Sequence, residues 1–171
     1  MQVRLIALFA VATLVALALQ TVVHYWLPMN AFIPHLVLIL AVDLGLRHPS
    51  ALAATMAFLM GYATDALSGS HVGLNAFTVT LVFLLAYEVS RHLLAANDIV
   101  GAVTVFIGAT INSIGTVALG GALLSAQGVA DLPMRPILIQ AAVTAALAPA
   151  IFALLKRSKR LIGLPLRNVR D

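Results

Sequence analysis

The residues best equipped for chemistry lie in the stretch Gly61-Tyr62-Ala63-Thr64-Asp65-Ala66-Leu67-Ser68-Gly69-Ser70-His71-Val72-Gly73-Leu74-Asn75-Ala76-Phe77. A carboxylate, hydroxyls, an imidazole and an amide interrupt apolar sequence there within a few positions. Asp65 has no basic residue three or four positions away. Its plainest role is to accept hydrogen bonds from backbone N–H groups of the turn between Ser68 and Gly73, which satisfies polar groups at a membrane edge. Its sharper role is to fix a docking surface for a partner. Gly69 and Gly73 suit a tight turn, and Asn75 can bond the turn or a neighbouring helix. Ser70 and His71 are adjacent, and adjacent side chains do not make a nucleophile–base pair. His24, His35 and His71, with Asp65, are metal-ligand types. They come from separate places with no ligand spacing, so no metal is expected. There is no phosphate-binding glycine loop and no HExxH. The absence of cysteine excludes disulfides and thiolate chemistry. Neither catalysis nor a cofactor is expected.

The other ionisable groups form local pairs. Asp43 precedes Arg47 by four residues, and Glu88 precedes Arg91 and His92 by three and four. Both are acid-then-base patterns on one helix face, suited to pairing at the membrane interface or to contacting a partner. Asp98 reads as a helix N-cap. Gly101, Gly108 and Gly115 recur every seven residues, with Thr104 and Asn112 near the same face. Small residues let membrane helices approach closely, and a buried Asn adds a hydrogen bond. The stripe serves packing within the bundle or an interface with another chain. Gln20, Gln140 and Thr144 read as links between helices.

The elements that must position these residues follow from composition. Hydrophobic residues make up 62% of the 171 and charged residues 9%. A soluble domain is about 45–50% apolar and about 25% charged, so this is an integral membrane protein. A spanning helix needs about 20 apolar residues. Candidates run from Leu5 to Trp26, Phe32 to Leu46, Ser50 (as N-cap) to Leu67, Val72 to Leu94, Asn97-Asp98 to Leu124, and Pro136 to Leu155. Leu27-Pro28-Met29-Asn30 reads as a turn, Ser125 to Arg135 as a polar loop, and Pro34 as a first-turn proline. The second candidate is short for a span. With the N-terminus cytoplasmic, nine of the ten basic residues fall inside and only Arg135 outside, which is the positive-inside pattern. The expected fold class is all-α, a six-transmembrane helix bundle over residues 1–155, with a basic cytoplasmic tail at 156–171. Arg47, Arg91, Lys156, Arg157, Lys159 and Arg160 are the candidate contacts to anionic lipid or a cytoplasmic partner.

Gly61, Asp65, Ser68, Gly69, Gly73, Leu74, Asn75 and Ala76 are similar to the glycine, aspartate and "SG…GLNA" signature of the MreD family, part of the bacterial machinery that sets rod shape. Pro34-His35-Leu36 resembles that family's proline before an apolar run. The resemblance implies a fold like the substrate-binding S-components of energy-coupling-factor transporters and no catalytic activity. It also implies association with MreC and, through it, with MreB, RodA and a class B penicillin-binding transpeptidase. The resulting expectation is a scaffold in the inner membrane. The rival is a vitamin-binding transporter component, with Tyr62, His24, His35, Asp65 and Asn75 around an outward cavity.

Overall fold

A computed structural model describes residues 2–26, 34–68, 73–92, 98–124 and 134–161. Its six helices are α1 (Gln2–Trp26), α2 (Leu36–Arg47), α3 (Ala51–Ser68), α4 (Leu74–His92), α5 (Asp98–Leu124) and α6 (Met134–Leu161). The turn at Leu27–Asn30, most of the Ser125–Arg135 loop and the tail beyond Leu161 lie outside the described residues.

The core is organised around α2, which touches every other helix. Every residue from Val37 to Leu46 is buried. A helix apolar on all sides is the kind that can sit at the centre of a bundle. The helical period divides its side chains between two clusters. Val37, Leu40, Ala41 and Leu44 join Phe9, Ala57, Met60 and Phe83. Leu38, Ile39, Val42 and Leu46 join Val82, Val105, Ala148 and Phe152. Helices α3 and α4 form one close antiparallel pair and α5 and α6 another.

The outer flanks carry exposed large apolar side chains, among them Leu14 and Leu19 on α1, Phe58 and Leu59 on α3, and Leu84 on α4. Such a surface suits lipid. Among the described residues, three helices are long and apolar enough to cross a membrane: Val3–Val23, Leu74–His92 and Met134–Leu161. At about 1.5 Å per residue, α2 spans roughly 18 Å, well short of a hydrocarbon core of about 30 Å.

The helix boundaries that differ most from expectation are the start of α2 and the end of α6. Pro34 precedes α2 instead of occupying its first turn, and its carbonyl accepts hydrogen bonds from Leu36 N (3.0 Å) and Gln20 Nε2 (2.8 Å). With His35 N donating to Thr144 Oγ1 at 3.2 Å, the lead-in to α2 is tied to both α1 and α6. Helix α6 continues past Leu155 to Leu161, so the first basic residues belong to the helix. Ser50 caps α3, accepting from Ala53 N at 3.1 Å.

Glycines set the closest helix contacts. A Cβ on Gly45 would lie 2.8 Å from both Ala86 Cβ and the Phe83 carbonyl oxygen. A Cβ on Gly108 would lie 2.6 Å from Val82 Cγ1. Gly45→Ala is therefore expected to lower stability by about 1–3 kcal/mol through overpacking, and Gly108→Leu by more. Thermal unfolding in detergent would check this. Wild-type stability in both variants would mean that these helices are not in contact there.

Candidate functional site

Asp65, one turn from the end of α3, is 1% exposed and points at the start of α4. Its Oδ2 accepts from Gly73 N at 2.9 Å and Ala76 N at 3.1 Å. Its Oδ1 accepts from Asn75 N at 3.0 Å and Asn75 Nδ2 at 2.9 Å. The first amides of a helix have no intrahelical partner, and the helix N-terminus favours negative charge. Asp65 thus caps α4 from a neighbouring helix.

The surrounding residues make that reach possible. Gly73 has φ +102°, in the left-handed region, so the chain turns sharply into α4. Gly61, one turn before Asp65, brings α3 against α4. A Cβ there would lie 2.6 Å from Ala76 Cα and from the Asn75 carbonyl oxygen, both backbone atoms. Leu74 opens α4 and is half-buried. Ser68 Oγ donates a long bond, 3.4 Å, to the Asp65 carbonyl. Gly69, Ser70 and His71 lie outside the described residues.

A second polar centre sits at the opposite end of the bundle. Asp43, near the end of α2, is 0% exposed. Lys159 Nζ donates to its Oδ2 at 2.6 Å. Arg47 Nε lies 2.8 Å from its Oδ1, an ion pair whose N–H is not aligned for a hydrogen bond. The Lys159 ammonium also faces the Phe9 ring at 5.1 Å, and the Arg47 guanidinium faces Phe152 at 5.4 Å, both cation–π distances. The cluster joins α1, α2 and α6.

This corrects the grouping of Lys159 with surface cations. Lys159 is 1% exposed. It continues the buried stripe Ala141, Thr144, Ala148, Phe152 and Leu155. That three-and-four spacing was the readable signal, and the basic residues around it masked it. Glu88 behaves as a local pair, 3.0 Å from His92 Nε2 and 3.9 Å from Arg91, all three exposed.

Three glycines of α5, Gly101, Gly108 and Gly115, face the bundle. Gly101 meets Phe152, Gly108 meets Val82 and Leu38, and Gly115 meets Thr78. Thr104 is buried and bonds its own helix at the Val100 carbonyl, 2.8 Å away. Asn112 is buried, but its side-chain oxygen finds no hydrogen-bond partner among the described residues. The interhelical bond expected of it is not made by that atom. No group of three metal-ligand types comes together among the described residues.

Two substitutions separate these centres. Asp65→Asn places an amide N–H₂ against N–H donors, and a cost of about 3 kcal/mol is expected. Asp43→Asn strands the Lys159 charge and should cost about 3–5 kcal/mol, whereas Asp43→Leu with Lys159→Met should restore most of it. Unfolding midpoints of the purified variants check both. A double variant as unstable as Asp43→Asn alone would mean the pair contributes more than mutual neutralisation.

The chain matches the model of the family described as rod shape-determining protein MreD over residues 2–158. No curated protein and no solved structure matches it. The matched region runs from the start of α1 into the last turn of α6; it includes Asp65 with its donors and Asp43 with Arg47, and it ends just before Lys159. This bundle of apolar helices is a membrane protein that belongs to the MreD family, with a role in determining rod shape.

Proposed function

We propose that the protein is a non-enzymatic scaffold of the cell-elongation machinery in the bacterial inner membrane. It holds MreC directly and, through MreC, MreB, RodA and a class B penicillin-binding transpeptidase, and so organises peptidoglycan synthesis. In this reading the chain crosses the membrane six times, with a fold like the S-components of energy-coupling-factor transporters. Both ends of the bundle's chain are cytoplasmic, as the placement of basic residues favours. The Asp65 end then faces outward. The basic end faces inward and meets anionic lipid.

The observation that carries the reading is the family match over residues 2–158. The use made of the polar side chains supports it. Asp65 gives four acceptor contacts to the backbone and side chain of the α4 start, and Asp43 is held by Lys159 and Arg47. Carboxylates committed to holding helices are poor candidates for acid–base work or for binding a vitamin. The signature residues Gly61, Asp65, Gly73 and Asn75 would fix the α3–α4 surface that partners recognise, with Pro34 fixing the start of α2.

Depletion in a rod-shaped host should give rounded cells, scored by microscopy, and affinity capture of the protein should recover MreC. Normal rods after complete loss, with no second copy of the gene, would overturn the proposal.

A further inference from the structure

The basic residues near the Asp43 end are not equivalent. Lys159 and Arg47 are held by Asp43. Arg91 lies beside Glu88 and 5.8 Å from the Tyr87 ring. Lys156 is half-buried and has a partner within the protein. Arg157 and Arg160 differ from all of these. Both are exposed, and neither makes an ion pair or hydrogen bond among the described residues.

Their position on α6 is specific. Ala142, Ala146, Ala150 and Ala153 are exposed along one face of the helix, and Arg157 and Arg160 continue that face at the same three-and-four spacing. The alanine face is apolar and flanks the bundle, so acyl chains lying along it would bring a headgroup to the two guanidiniums. Lys159 fixes the rotation of this turn. Two positions along a helix are about 200° apart, so burying Lys159 against Asp43 turns Arg157 to the opposite side. The guanidinium fork matches a phosphate oxygen pair better than a lysine does.

We propose that Arg157 and Arg160 bind the phosphate of an anionic phospholipid and are aimed at it by the Asp43–Lys159 pair. This rests on the reading above that the basic end meets anionic lipid, and assigns that contact to two residues, with Lys159 excluded. The full chain, purified without partners, is placed in nanodiscs of mixed phosphatidylglycerol and phosphatidylcholine, and the ratio of the two lipids it retains is measured by native mass spectrometry. Wild-type protein should enrich phosphatidylglycerol. Arg157→Gln and Arg160→Gln should each lower the enrichment by about fivefold and together by about thirtyfold. Arg91→Gln removes an exposed charge at the same end, outside both the arginine pair and the Asp43–Lys159 pair, and should leave the ratio within about twofold. An equal fall in that variant would overturn the proposal, because the end would then act as undifferentiated charge. So would wild-type enrichment in the arginine double variant. No enrichment by the wild type would also overturn it and point the arginines toward a protein contact. None of these results bears on whether depletion rounds the cells, so the scaffold reading stands or falls separately.

Discussion

Inside a bilayer a buried charge or a free helix amide must find its partner within the protein, and two carboxylates at opposite ends of this bundle meet that demand. Asp65 joins α3 to α4 by taking the orphan amides of the α4 start. Asp43 joins α2 to α6 by taking the Lys159 ammonium. Because α2 touches all the other helices, anchoring its end also anchors the middle of the bundle. Apolar packing between helices gains little over apolar contact with lipid. The polar joints and the glycine contacts therefore carry much of the specificity that a hydrophobic core carries in a soluble protein.

The two joints were unequally legible in the sequence. Asp65 and its donors lie within eleven positions, and an acid without a local cation beside two glycines and an asparagine already implies a turn to be capped. Asp43 and Lys159 are 116 positions apart. Asp43 had a nearer partner in Arg47, and Lys159 sat among basic neighbours that read as solvated. Only the stripe Ala141, Thr144, Ala148, Phe152 and Leu155 marked it as inward. A charge-based reading and a periodicity-based reading conflict at that residue, and burial followed the periodicity because Asp43 was there to neutralise it.

The helices themselves were legible in number and order, since long apolar runs separated by Pro, Asn and charged residues leave few alternatives. Their ends were less so. Pro34 satisfies the rule for a first-turn proline, yet its carbonyl is claimed by Gln20 from α1, and the helix starts two residues later. The seven-residue glycine stripe of α5 indicated close approach, while the identity of the neighbours depended on tertiary arrangement. Gly101 meets α6, Gly108 meets α4 and α2, and Gly115 meets α4, so one face serves three helices. Gly45 carried no pattern at all, although it allows one of the closest approaches in the bundle.

A scaffold and a ligand-binding protein make different demands on buried polar groups. A binding site must keep donors and acceptors unmatched until the ligand arrives. Here the Asp65 oxygens are matched to amides of α4, the Asp43 oxygens to two cations, and the Thr144 hydroxyl to the start of α2. Asn112 Oδ1 is an exception, closed in by its neighbours, and Asp43 Oδ1 is held by the Arg47 charge without an aligned hydrogen bond. Interior chemistry spent on joining helices leaves recognition to the outer surface, where shape is set by how firmly the joints hold. Under the scaffold proposal, the signature at Gly61–Ala76 serves geometry: a partner docked on the flank of α3 and α4 would read the angle between those helices.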